Sequence, residues 1–204
     1  MKNNLSKLLS NNENRIIGNK NYSLAAVLIG IVNLDEKEYI LFEKRSSHIR
    51  QGGEISLPGG KFDANDKTTK STAIRETIEE IGISRNKIEI LGKFGSLITA
   101  SGIILDTYVG YLKIKDISEL NFNSDEVEKL FLVPIDFFIK NKPRIEKIEM
   151  RNIPKFSTEE LSLPKIYENS WTGYFRNVYF YKYQDELIWG ITSEIIYDFV
   201  QNYG

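Results

Sequence analysis

Cysteine is absent from the 204 residues. Its absence excludes disulfides, thiolate metal ligands and a cysteine nucleophile. Histidine occurs once, as His48, and no G-x-S-x-G is present, which argues against a Ser/His/Asp or Cys/His hydrolase. No P-loop is present either, because Lys61 follows a glycine pair but precedes Phe62 rather than serine or threonine. An excess of one charge is also lacking. The net charge of −1 is unlike the basic surplus of a general nucleic-acid binder, though it leaves room for a small basic pocket. The longest apolar run, "LAAVLIGIV" from Leu24 to Val32, is shorter than the roughly 20 residues a membrane span needs and suits a buried strand. "MKNNLSKLLSNNENRI" is too polar for a signal peptide. The expectation is a cytoplasmic protein with no membrane and no nucleic-acid partner.

Hydrophobic residues at 41% and charged ones at 27% give an ordinary globular balance with enough apolar surface for a core. No repeat, low-complexity tract or linker divides the chain. The reading is one domain over 21–204, preceded by a short polar helix and loop over 1–20. Strands are expected at 23–32 and 39–45, joined as a hairpin through "NLDEKE", and at 87–98, 104–114, 127–135, 144–153 and 177–183. Loops are expected over 46–58 and 59–69. Helices are expected at 70–81, with Gly82 as a stop, at 136–141 and at 188–203. Many strands with few helices indicate an α+β domain.

The segment "LPGGKFDANDKTTKSTAIRETIEEIG" carries the chemistry. On a wheel with Ile74 at zero, Ile78 and Ile81 fall within about 40°, while Glu76, Glu79 and Glu80 fall near about 200°, 140° and 240°. The three glutamates cluster opposite the isoleucines at spacings that bring their side chains together. Arg75 can pair with Glu79, but Glu76 and Glu80 lack a basic partner one turn on. A divalent cation turns such repulsion into coordination, and hard oxygen donors suit Mg²⁺ or Mn²⁺. A solvated acidic face on an ordinary amphipathic helix is the alternative.

Gly60 to Ile83 resembles the Nudix box, G-x5-E-x7-R-E-U-x-E-E-x-G-U, with U a bulky apolar residue. Arg75, Glu76, Glu79, Glu80, Gly82 and Ile83 match its second half in register. The gap from Gly60 to Arg75 is one residue longer, the first glutamate has no clean match (Asp66 is nearest), and Thr77 stands at an apolar position. The coenzyme A diphosphatase-like subgroup shares this extension, and its "PGGKxDxxD" opening is similar to "PGGKFDAND" here. That subgroup's upstream element, L-L-T-x-R-S-x3-R-x3-G-x3-F-P-G-G, resembles "ILFEKRSSHIRQGGEISLPGG" through Arg45, Ser46, Arg50, Gly53 and Pro58-Gly59-Gly60. The gap between Arg50 and Gly53 is one residue short, and Leu57 stands where phenylalanine is usual. "ITASGIILDTYVGYL", "LFLVPIDFF" and "IWGIT" also look like later segments of the subgroup.

The resemblance implies an α/β/α sandwich around a mixed sheet and a metal-dependent hydrolase of nucleoside diphosphate-linked compounds, with Mg²⁺ or Mn²⁺ as cofactor. It implies Glu76, Glu79, Glu80 and the Gly59 carbonyl as metal ligands, Arg75 as the residue orienting the glutamates, and Glu76 as general base, with Glu126 and Glu128 as alternatives. The glycine pair would let the backbone approach metal and phosphate. Arg45, Arg50, Gly53, Gly60 and Lys61 are the substrate-binding candidates, and Lys44 joins Arg45 and Arg50 as cationic candidates for a 3′-phosphate; a solvated basic loop is the plainer reading. Asp63 and Asp66 would shape their loop through local backbone bonds. The implied substrate is coenzyme A or an acyl derivative, giving 3′,5′-ADP and 4′-phosphopantetheine. ADP-ribose, a nucleotide sugar or a nucleoside triphosphate is the alternative substrate, and a non-catalytic ligand sensor is a further reading. The partner expected is a small nucleotide, and a homodimer is compatible with the sequence.

Overall fold

The computed structural model of the chain describes residues 16 and 18–203. The run Leu24–Val32 lies in strand β1 (Ser23–Leu34). It is apolar at consecutive positions because both faces of this strand are covered. Ala26, Leu28 and Val32 enter one core, and Ala25, Ile29 and Ile31 enter the other. β1 pairs antiparallel with β2 (Lys37–Arg45) over its C-terminal end and with β4 (Gly59–Lys61) over its N-terminal end. Its other edge runs parallel to β6 (Ile103–Leu112), which carries β5 (Ile88–Ile98) antiparallel beyond it. β2 also pairs with β3 (Ile55–Ser56) and with β7 (Val127–Pro134). The result is a seven-stranded mixed sheet.

Helix α1 (Thr69–Ile81) covers one face. Thr68 caps its N-terminus: its hydroxyl accepts from the Ser71 amide, and the Ser71 hydroxyl accepts from the Thr68 amide. Such a cap is worth about 1 kcal/mol. Gly82 ends the helix at φ +68°, and a Cβ there would stand 2.0 Å from the Asn121 carbonyl oxygen. Only glycine meets both demands. The other face takes α2 (Ile135–Lys140) and α3 (Gly190–Gln201), with Phe138, Ile195, Ile196 and Phe199 buried against Phe42 and Ile29. β8 (Arg144–Asn152), β9 (Trp171–Tyr183) and β10 (Glu186–Trp189) form a second, antiparallel sheet.

The expected sandwich of helices about a mixed sheet is the fold observed. The differences are local. Ile55–Ser56 and Gly59–Lys61, read as loop, are short strands. Trp189 and the three residues before it form β10, so the last helix starts two residues later than expected. β9 begins at Trp171, six residues before the expected start of its strand. Of the helix and loop expected over 1–20, residues 1–15 and 17 lie outside the described residues, and Asn19–Asn21 form a single 3-10 turn.

Candidate active site

α1 does not turn its isoleucines squarely to the sheet. Its fully buried positions are Thr72, Ala73, Thr77, Glu80 and Ile81, while Ile74 and Ile78 are only partly buried at one flank. Small residues let the helix lie close to β1 and β4. Thr77, at a position where a bulky apolar residue is usual, donates its hydroxyl to the Ala73 carbonyl at 2.6 Å and so is buried without an unmet polar group. This phase corrects the expected placement of all three glutamates opposite the isoleucines, since Glu80 is buried beside Ile81, and it overturns the alternative of a solvated acidic face. The three glutamates do not share one solvated side: Glu79 is exposed, Glu76 is intermediate and Glu80 is 5% exposed.

Strand β4, ahead of the helix, meets these carboxylates directly. The Gly59 amide donates to Glu80 Oε2 at 2.8 Å. A Cβ on Gly59 would stand 2.3 Å from the Ala26 carbonyl oxygen, and one on Gly60 would stand 2.4 Å from Glu76 Cδ. The glycine pair therefore leaves a cradle that side chains would fill. Burial, with the neighbouring Glu43 carboxylate next, pushes the Glu80 carboxyl up to about 9. Burial also raises Glu76, against the pull of Arg75.

Arg75 ties the loop to the helix. Its Nε and Nη2 donate to the two oxygens of Asp66 at 3.1 and 2.9 Å, a bidentate pair. Nη2 also donates to the Lys61 carbonyl at 3.1 Å, and Nη1 stands 2.9 Å from Glu76 Oε1 and 3.0 Å from Glu79 Oε2. Asp66 accepts from Thr72 Oγ1 and from the Asp63 amide as well. The hydrogen bonds from Arg75 hold the Asp66 carboxyl well below its usual range. Asp63 accepts from the Asn65 amide, so both aspartates shape the loop as expected. Sequence reasoning did not find that Asp66 anchors Arg75.

A second network holds the start of α1 on the sheet. Asp106 of β6 accepts from Thr69 Oγ1 at 2.6 Å and Ser96 Oγ at 2.7 Å, and pairs with Lys93 at 2.8 Å. Burial alone would raise this carboxyl, but those donors hold it below its ordinary value. Asp106 lies in the quoted segment "ITASGIILDTYVGYL", but nothing in that segment singled it out. Its partners are far apart in sequence, and strand alternation was the one available signal.

The basic loop divides. Arg45 points to the α1 side, 3.8 Å from Glu43 Oε1, and its Nε donates to the Arg50 carbonyl at 3.4 Å. Arg50, Gly53 and Lys61 are exposed and Gly60 intermediate, and among the described residues no ion pair engages Arg50 or Lys61. Lys44 leaves this group. Alternation along β2 sends it to the opposite face, where it meets Glu128 at 3.2 Å and Glu186 at 3.8 Å. Glu128 therefore lies away from the carboxylates, whereas Glu126 is close enough to Glu43 and Glu76 to raise both. His48 is exposed. A cavity of about 290 Å³ between β5, β9 and α3, lined by Phe94, Tyr179 and Tyr197, also lies across the sheet and takes no part.

One further acid closes the site. Glu43 of β2 is 1% exposed, and Ser56 Oγ donates to its Oε1 at 2.8 Å. Its Oε2 is the one buried side-chain oxygen or nitrogen among the described residues with no partner. Among those residues no three acids stand close enough together to hold a metal ion as they are; Arg75 pairs with Glu76 and Glu79, and the Gly59 amide donates to Glu80. Even so, the donor set fits a hard cation: buried carboxylates, an orphaned oxygen, and a cradle free of Cβ atoms.

The sequence profile of the NUDIX domain matches residues 23–154. Nudix hydrolase 3 of Caenorhabditis elegans is 32% identical over 202 residues, covering 95% of this chain and 79% of its own. A protein of Photorhabdus laumondii called uncharacterized Nudix hydrolase NudL is 34% identical over 180 residues, covering 87% of this chain and 83% of its own. Among solved structures, a MutT/nudix family protein from Enterococcus faecalis superimposes with a TM-score of 0.51 at 16% identity, over 100% of this chain and 70% of its own. That likeness is one of fold.

Proposed function

Since the chain belongs to the Nudix hydrolase family, whose members act on diphosphate bonds, we propose that it splits coenzyme A or an acyl derivative into 3′,5′-ADP and 4′-phosphopantetheine. The observation that carries the catalytic part of this reading is the gathering of Glu76 and Glu80 around Gly59 and Gly60 of β4, with Arg75 locked in place by Asp66. Residues 21–204 are read as the catalytic domain, with 1–20 as an extension.

Glu76, Glu80 and the Gly59 carbonyl would hold Mg²⁺ or Mn²⁺, with Glu79 as a further ligand. Such an ion, when bound, supplies charge neutralisation at the diphosphate and acidifies a water. The protein's own contributions are positional. Arg75 fixes Glu76 and Glu79 and does not touch substrate. Gly60 leaves the room in which Glu76 sits, and Glu76 takes the proton of the attacking water. Glu126 is the alternative base; Glu128, paired with Lys44 across the sheet, is set aside. Arg45, Arg50 and Lys61 flank the site as cationic donors; the Gly53 amide, expected among them, is spent on the Arg45 carbonyl at 2.9 Å, and Gly60 is paired with Ala26 in the sheet. Arg50, exposed and unengaged by any acid among the described residues, suits the extra 3′-phosphate that separates coenzyme A from plainer nucleotides.

The test is product analysis with Mg²⁺ or Mn²⁺ against coenzyme A, acetyl-coenzyme A, ADP-ribose, a nucleotide sugar and nucleoside triphosphates. Preferential release of 3′,5′-ADP, lost on Arg50→Ala in KM more than in kcat, supports the proposal. Preferential turnover of another member reassigns the substrate. Tight binding without turnover of any member marks a ligand sensor.

A further inference from the structure

Glu43 stands outside the motif, on β2, and no part of the reading above uses it. Along β2 the side chains of Ile40 and Phe42 enter the core beneath α2 and α3, while Leu41 enters the core beneath α1. Glu43 follows Leu41 on the α1 side, at a position that an apolar residue would fill at no electrostatic cost. Burying a carboxylate costs several kcal/mol even after relaxation. The surroundings do little to offset it. Ser56, its register partner on β3, satisfies Oε1. Arg45 is at the limit of ion-pair distance from that same oxygen. Lys44, the adjacent cation, is on the other face with Glu128 and Glu186. Oε2 is buried with no donor of its own: its neighbour is the Glu80 carboxyl, which bonds to it only by carrying a proton and whose own Oε2 is held by the Gly59 amide.

We propose that Glu43 is a third carboxylate of the divalent-cation site, contributed by the sheet rather than the helix, with its unpartnered Oε2 as the donor atom and Ser56 as the residue that aims it. This rests on the reading that Glu76 and Glu80 hold a cation. It makes the site a bridge between β2 and α1 rather than a property of the helix alone. The competing account of the same geometry is a proton shared between Glu43 and Glu80 with no role in metal uptake, and the two accounts differ in what happens when the charge is removed.

The experiment is Mn²⁺ titration of the full chain without substrate, followed by calorimetry and by the electron paramagnetic resonance of free Mn²⁺, on wild type, Glu43→Gln, Ser56→Ala and Glu80→Gln. Metal-free thermal unfolding is run beside it. Expected are a Glu43→Gln protein that melts no lower than wild type without metal, since the amide can still accept from Ser56, and Mn²⁺ binding weakened by about 10-fold or more. Ser56→Ala gives a smaller loss. Wild-type Mn²⁺ affinity in Glu43→Gln, with Glu80→Gln impaired, overturns the role of Glu43 and leaves the helix site standing. No Mn²⁺ binding by wild type overturns both readings. If Glu43→Gln does not fold, Glu43→Asp, which keeps the charge and withdraws the oxygens by one methylene, decides: weakened binding supports the proposal and unchanged binding overturns it.

Discussion

Arg75 donates to Asp66 through two nitrogens and reaches Glu76 and Glu79 through the third, so one aspartate sets the arginine and the arginine sets two glutamates. Asp66→Ala removes the anchor without touching any carboxylate proposed as a ligand. Residues that orient ligands typically cost 10–100-fold when lost. We expect kcat and Mn²⁺ affinity to fall by about that factor while the far-ultraviolet circular dichroism is unchanged. The Arg75–Glu79 contact was legible because four residues on a helix are neighbours by geometry. The Asp66–Arg75 pair was not, since it spans a loop whose path no period describes. A different residue tests burial. Tyr181 is 2% exposed, and burial pushes its phenol up to about 12. Its folded pKa lies above the unfolded value near 10, so the fold holds its proton the longer. The stabilisation is whole below about pH 10 and is lost as pH rises from there through about 12. Phenolate absorbance at 295 nm, compared between wild type and Tyr181→Phe, should place the missing titration near pH 12 rather than 10.

At the scale of elements, strand β4 with its Gly59–Gly60 pair and helix α1 form one unit. Gly60→Ala would set a Cβ against the end of Glu76, a flexible group that can move aside. The expected result is a folded protein melting within a few degrees of wild type, with activity down by about 100-fold, the usual result of shifting a reacting group by about 1 Å. Asp106→Ala has the opposite signature. It strips Thr69 and Ser96 of their acceptor beneath the helix start, which should cost about 2 kcal/mol. That lowers the melting temperature by about 4–8 °C for a chain of this size while leaving Mn²⁺ affinity nearly intact. The end of α1 was legible in Gly82; its start was read one residue late, at 70 instead of Thr69, and the Thr68 cap went unread. The phase of the helix was not legible. The isoleucines drew the wheel toward themselves, whereas the close approach of β1 and β4 demanded the small side chains of Ala73 and Thr77 and so carried Glu80 inward. β3 and β4 went unread because two or three residues are too few for a period to show.

Over the whole molecule, the seven-stranded sheet separates two cores and keeps the acids on one side of it. That division explains why the basic loop was only half legible: residues adjacent in sequence on β2 belong to opposite faces, so Lys44 and Arg45 cannot serve one pocket. The profile match ends at residue 154, so most of the three-stranded sheet and all of α3 lie beyond it. No helix among the described residues is long and apolar enough to cross a membrane. Ligand binding to the folded state alone adds about 2.7 kcal/mol at a hundredfold excess over Kd. Saturating Mn²⁺ should therefore raise the melting temperature by about 5–10 °C, and Glu80→Gln should abolish the rise. The most direct test of the central claim is anomalous diffraction from crystals soaked in Mn²⁺. The account predicts a peak bounded by Glu76, Glu80 and the Gly59 carbonyl. Crystals that show no peak there would contradict it.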